Sequence, residues 1–227
     1  MRFAVLLAAL TLATPVIAAD PAHPTVVELY QSQGCSSCPP ADHNLNILAG
    51  RADVLALNFA VTYWDQLGWK DTFAKPAFTQ RQWDYARAGG RPQVATPQMI
   101  VNGRTIVSGG NSPQVVQALR TADRGSTGPA ISATSGAVTI AGGRATATAT
   151  VWLVRYDPRT IAVAIRAGEN GGKTLPHRNI VRDLVPLGSW RGRPVRFAVR
   201  PVPDRNWRSA VLVQQRTGGP IIAAARL

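Results

Sequence analysis

Cysteine is scarce in this chain. Its 227 residues hold two, Cys35 and Cys38, and both lie in one stretch, SQGCSSCPPAD, from Ser32 to Asp42. That count rules out a scaffold stapled by several disulfides and a zinc site made of cysteines, which takes four ligands. Histidine is almost as rare. His23 and His177 are remote from the cysteines with no ligand spacing, and His43 reads as a solvated residue of the helix that follows them. Lysine is nearly missing, since 22 of the 25 basic residues are arginine. These arginines are scattered along strand-like runs instead of gathering on one helix, which argues against nucleic-acid binding. After the N-terminus there is no apolar run of about 18 residues or more, the length a transmembrane helix needs.

What is present begins with MRFAVLLAALTLATPVIAAD. One basic residue (Arg2), an apolar run from Phe3 to Ala13 and small residues at Ala18 and Ala19 are the layout of a secretory signal peptide. The expectation is cleavage after Ala18 or Ala19, so that residues 1–19 are removed. The mature protein is then periplasmic or secreted, without a membrane span, and disulfides can persist there. The remaining length suits one large domain or two of roughly 100 residues. Composition changes at Arg124-Gly125-Ser126-Thr127-Gly128-Pro129, and charge changes with it. Residues 24–125 hold nine Lys/Arg against seven Asp/Glu, whereas residues 126–227 hold fifteen against four. The reading is a first domain over 24–123, a linker over 124–129 and a second domain over 130–227.

In the first domain strand and helix signals alternate. Val26–Tyr30 is a β-rich run, Pro39 to Leu48 has helical spacing, and Val54–Val61 is a buried-type strand parallel to the first. Pro76 is placed to start a helix ending near Gly89-Gly90. In TPQMIVNGRTIVSGG, Asn102-Gly103 between two apolar runs predicts a type I′ hairpin. Ser112-Pro113 opens a last helix through Ala122. A strand, a CxxC, a helix, and later a Thr-Pro just before a hairpin strand resemble the thioredoxin fold. That resemblance implies a cis Thr96–Pro97 bond facing Cys35 and Cys38.

The stretches VELYQSQGCSSCPPAD, YWDQLGWKDTFAKPAFTQRQWDYA and TPQMIVNG also resemble the DUF1223 family of secreted thioredoxin-like proteins. The resemblance is dense from Val26 to about Gly110 and weaker in the second half, at RAGENGG and NIVRDLVPLG. It implies a fold more than an activity.

A thiol attacks as thiolate, and the N-terminal end of a helix lowers its pKa. The thioredoxin resemblance makes Cys35 the nucleophile and Cys38 the more buried resolving thiol. Pro39 and Pro40 lack N–H groups, so the helix proper should begin at Pro39, with the CxxC in a preceding turn and a weakened dipole effect. Many thioredoxin-like oxidoreductases place an acid six residues before the first cysteine, where this chain has Leu29. Its neighbour Glu28 points to the opposite face. Tyr63, Trp64 and Asp65 leave the C-terminal end of the second strand, so they should emerge beside Cys35. With Thr96 they are the expected substrate-binding residues, Asp65 being the candidate polar group. The competing reading has Tyr63, Trp64, Trp69, Phe73 and Phe78 simply packing the inserted segment.

Three readings of the pair stay open: redox-active thiols, a structural disulfide, or carriage of Cu(I) by two thiolates. No metal site or cofactor is implied otherwise. The second half reads as about seven short strands in a sandwich-like, all-β domain. Glu169, Asn170 and His177 sit around a Gly-rich loop there as candidates for binding. The expectation is therefore an α/β thioredoxin-like domain followed by a β-sandwich, exchanging disulfides with protein thiols in the cell envelope. Its basic second half would contact an anionic surface or an acidic partner. The alternative is a binding module without turnover.

Overall fold

The structure, a computed structural model, describes residues 19–227. The expected signal peptide lies outside the described residues except for Ala19. No helix among the described residues is long and apolar enough to cross a membrane. The molecule is dominated by mixed sheet, with thirteen strands and few helices among the described residues.

The first half holds β1 (Thr25–Gln31), α1 (Pro39–Leu48), β2 (Val54–Ala60), α2 (Pro76–Ala88), β3 (Gln98–Val101), β4 (Thr105–Val107) and α3 (Ser112–Thr121). A short 3-10 turn, Asp65–Leu67, leads into the segment before α2. β1 and β2 run parallel, from Thr25 opposite Val54 to Gln31 opposite Ala60, and every residue of both is buried. Sequences such as VVELY and VLALNFA are what a strand covered on both faces requires. Side chains alternate as the period of two demands. Val27 and Leu29 join Ala41, Leu45, Val115 and Ala118 under α1 and α3. Val26 and Tyr30 face the aromatic core with Phe59, Phe78 and Tyr85.

The hairpin follows its sequence signal. Asn102 and Gly103 both have positive φ, at 47° and 64°, as a type I′ turn requires. The Arg104 N–H closes the turn on Val101 O at 2.9 Å. A Cβ at Gly103 would lie 2.4 Å from Gly219 O, so only glycine allows the second half to approach this closely. The last helix stops one residue short of the expected Ala122.

The second half adds β5 (Ile131–Thr134), β6 (Ala137–Ile140), β7 (Ala149–Asp157), β8 (Ile161–Ala164), β9 (Thr174–His177), β10 (Ile180–Trp190), β11 (Val195–Ala198), β12 (Arg208–Gln215) and β13 (Ile221–Arg226). The two halves share a sheet of order β13-β12-β7-β10-β2-β1-β3-β4. The joint is narrow: β10 runs parallel to β2 with Ile180 opposite Asn58, and Asn179 O accepts the Asn58 N–H at 3.0 Å. A second sheet, β11-β6-β5, faces β7, β10, β12 and β13 across Val138, Ile140, Val151, Leu153, Trp190 and Val211, which is a sandwich-like packing. β8 and β9 form a separate hairpin. The Arg124–Pro129 segment is tied down. Arg124 is buried and donates to Pro24 O and Thr127 O at 3.0 and 3.1 Å.

Glu28, in the middle of β1, has no solvent exposure. Arg81 on α2 reaches its Oε1 with Nε and Nη2 at 3.0 and 2.7 Å. The same guanidinium donates to Gln214 on β12 at 3.0 Å. It also lies over the Trp152 ring of β7 at 5.2 Å. One charged group thus binds β1, α2, β7 and β12. Removing one partner of such a pair leaves a buried charge uncompensated. Arg81→Met should therefore lower the unfolding free energy by about 3–5 kcal/mol in urea titration. Adding Glu28→Gln to it should recover much of that loss.

Candidate functional site

β1 ends at Gln31, and the chain turns twice before α1. The Cys35 N–H donates to Ser32 O, and the Cys38 N–H to Cys35 O, each at 3.1 Å. Cys35 and Cys38 are joined as a disulfide. Cys38 caps α1, which begins at Pro39 as its sequence dictates. Pro39 and Pro40 bring no donor, and the next two N–H groups, of Ala41 and Asp42, both turn back to Cys38 O. The first turn of α1 therefore has no free N–H for a sulfur anion. The Ser37 hydroxyl lies 3.3 Å from Cys35 Sγ and can donate its O–H to that sulfur.

Exposure does not separate the two cysteines. Cys35 is 0% exposed and Cys38 1%, so the expected contrast between an open nucleophile and a buried resolving thiol is absent from this closed form. Between them, Ser36 and Ser37 face solvent. The cover comes from the tip of the β8–β9 hairpin. Asn170, fully buried, donates its amide to Gln33 O at 2.9 Å and Cys35 O at 2.8 Å. The Glu169 carboxylate accepts the Ser36 N–H at 2.9 Å, which holds its pKa below the usual value. Gly168 and Gly172 take positive φ on either side, letting the tip fold tightly onto the turn.

Thr96–Pro97 is a cis peptide bond. It immediately precedes Gln98, which lies opposite Tyr30 across β1 and β3. Trp64 Nε1 donates to Thr96 Oγ1 at 2.7 Å. Trp64 also flanks the cysteine turn, since a Cβ at Gly34 would lie 3.8 Å from Trp64 Cβ. Tyr63 donates to Gln82 at 3.2 Å, and Gln82 holds Ala95 O at 2.8 Å. Burial pushes the Tyr63 hydroxyl up to about 12 against its hydrogen bonds to Gln82 and Thr96. Trp64 and Tyr63 thus serve as supports for the Thr96–Pro97 loop. Asp65 instead accepts the Asp71 N–H at 3.1 Å and fixes its own loop. Phe78 is core, and Trp69 donates to Gln33 at 2.9 Å.

Besides Glu169, a second acid reaches the cysteine turn, Asp71, which sequence reasoning missed. Its Oδ2 accepts the Gln33 N–H at 2.7 Å. Burial raises its pKa against the hydrogen bonds from Gln33 and Phe73 and the charge of His177. A second missed acid, Asp42, lies one turn into α1, buried, accepting from Asn58 Nδ2 at 2.8 Å. Asn58 in turn accepts from Gln31 at 3.0 Å. His177, at the end of β9 and fully buried, brings Nδ1 to 3.3 Å from Asp42 Oδ1. Burial opposes charging of this imidazole, but the charge and hydrogen bond of Asp42 and the charge of Asp71 raise its pKa overall. The loop singled out in the sequence thus meets the cysteine turn through Glu169 and Asn170 and the helix after it through His177. Its motif, RAGENGG, was the usable signal.

Residues 26–214 match the sequence model of one protein family, described as a protein of unknown function (DUF1223). The chain belongs to the DUF1223 family. Among solved structures it is similar to the crystal structure of protein AGR_C_4864 from Agrobacterium tumefaciens. The two are 31% identical over 92% of this chain and 94% of that one, with a TM-score of 0.73. HBP35 of Porphyromonas gingivalis shares the fold alone, at 10% identity over 90% of this chain and 74% of that one, with a TM-score of 0.57. No curated protein matches this DUF1223 chain. Among the described residues no group of three or more His, Cys, Asp or Glu is placed to hold a metal ion.

A histidine whose pKa rises on folding stabilises the fold most below its unfolded value of about 6.5, and loses that contribution as pH climbs through the raised native value. The urea midpoint of this protein should accordingly fall as the pH rises above about 6.5. In His177→Gln that part of the slope should vanish.

Proposed function

We propose that this DUF1223 protein is exported and carries out thiol–disulfide exchange with thiols of other envelope proteins through Cys35 and Cys38. The observation that carries the reading is the disulfide at the strand-to-helix junction, with Trp64 reaching from beside that turn to the loop that holds Thr96 and Pro97. The order β1, CxxC, α1, β2, α2, β3, β4, α3, with sheet order β2-β1-β3-β4, supports a thioredoxin-like first half. In the exchange a substrate thiolate attacks Cys35 Sγ, the Cys35–Cys38 bond breaks, and its electron pair leaves on Cys38 Sγ. A second substrate thiol, as thiolate, then displaces Cys35 from the mixed disulfide. Substrate leaves oxidised, and the protein leaves as a dithiol. Thr96, in front of Gln98 on β3, offers backbone to an extended peptide. The exposed arginines of the second half would meet an anionic surface or an acidic partner.

Reaction needs access, and here the 168–172 tip must lift. That burial is the observation favouring the second reading, a structural disulfide without turnover. Partial reduction with dithiothreitol, alkylation and mass spectrometry separate the two. The expected result is labelling of folded protein with Cys35 first. Asn170→Ala frees the carbonyls of Gln33 and Cys35, which removes about 1–3 kcal/mol of restraint. It should speed reduction at least on the order of tenfold. Reduction that occurs only on global unfolding, at equal rates in both proteins, would establish the structural reading instead.

A further inference from the structure

We infer that His177 and Asp42 hold the proton that Cys38 exchanges when the disulfide opens and closes. The inference deepens the thiol–disulfide reading and rests on it. Opening the bond leaves an electron pair on the buried Cys38 Sγ, where an unpaired anion is costly. The usual remedy is the free N–H groups of a helix terminus. In α1 that remedy is missing, because two prolines and two N–H groups bound to Cys38 O use up the first turn. Something else must balance the sulfur.

Cys38 and Asp42 are four residues apart, with the Asp42 N–H bonded to Cys38 O at 3.1 Å. At that spacing on a helix the Cβ atoms are about 5–6 Å apart on one face. Asp42 Oδ1 is engaged by Asn58 and faces His177 Nδ1. Asp42 Oδ2 and His177 Nε2 are both buried and have no hydrogen-bond partner among the described residues. Buried polar atoms without a partner call for an explanation, and a proton shared with a neighbouring thiol is one. The charged groups around the imidazole come from three elements: Asp42 on α1, Asp71 before α2, and Arg182 on β10. Arg182 stacks 4.7 Å over the Phe73 ring, which meets His177 in a T-shaped pair with centroids 6.2 Å apart. Asp42 adjoins the imidazole directly and the charge of Asp71 acts on it as well, so its neighbours favour a proton on His177 against the cost of burial.

On opening, an incoming thiolate forms a bond to Cys35 Sγ and the Sγ–Sγ bond breaks onto Cys38. The imidazolium–carboxylate pair releases one proton to Cys38 Sγ and is left as neutral imidazole and carboxylate. Closing the disulfide reverses this, Cys38 returning its proton as it attacks Cys35 Sγ and expels the partner thiolate.

The test uses whole protein in two redox states. His177 is titrated by NMR in the oxidised protein and after reduction with a phosphine, and Cys38 alkylation by iodoacetamide is followed against pH. In the reduced protein His177 should titrate differently from the oxidised form and share its midpoints with the Cys38 profile, as coupled sites do. His177→Gln should leave Cys38 with a single, higher midpoint. Its alkylation at neutral pH should then slow on the order of tenfold for every pH unit by which that midpoint rises. Adding Asp42→Asn should restore most of the rate, since no unpaired buried carboxylate then opposes the thiolate. Identical His177 titrations in oxidised and reduced wild-type protein would overturn the inference, and that comparison holds even if the variants do not fold. Coupling without exchange on a model dithiol peptide would support the proton pair and remove the exchange function.

Discussion

A carboxylate in the central strand of a sheet has to be answered by a cation. Glu28 sits in β1 with both faces covered, and Arg81 reaches it from α2. Because the guanidinium also takes Gln214 and lies over Trp152, answering Glu28 draws α2 onto β1 and brings β7 and β12 against the same core. The aromatic cluster follows from that convergence. Tyr30, Phe59, Phe78 and Tyr85 of the first half pack with Val154, Leu212 and Ile221 of the second. Desolvating the ion pair offsets much of its attraction, so its role is register more than net stability.

With the halves in register, the hairpin β8–β9 has one place to go. Its tip meets the cysteine turn through Glu169 and Asn170, its end meets α1 through His177, and Asn46 donates to Pro176 O at 3.0 Å between the two. The first half supplies the sulfurs. The second supplies the cover and the buried imidazole.

Much of this was readable in the residues. The two prolines fixed the start of α1, Asn102-Gly103 the hairpin, and unbroken apolar runs the two buried parallel strands. Local chemistry decides each of these, and local chemistry is visible in sequence. Asp42 and Asp71 were not readable, because nothing in their neighbours distinguishes a buried acid from a solvated one. Asp42 is buried by Asn58 and His177, which lie 16 and 135 residues away. Asp65 looked the better candidate on strand geometry alone, yet its loop closes on itself through Asp71. The basic second half suggested an independent unit, but charge describes a surface and says nothing about which strand edges pair.

The narrow joint between β2 and β10 has a consequence for how this chain can be cut. β2 is buried throughout, and β10 covers its outer edge at Asn58. A fragment ending before β5 would present VLALNFA as an uncovered edge strand, apolar and without a lysine or proline to blunt it. Strands of that kind recruit copies of themselves. The second half therefore acts toward the first as a built-in chaperone, occupying a template that would otherwise grow by addition of like molecules.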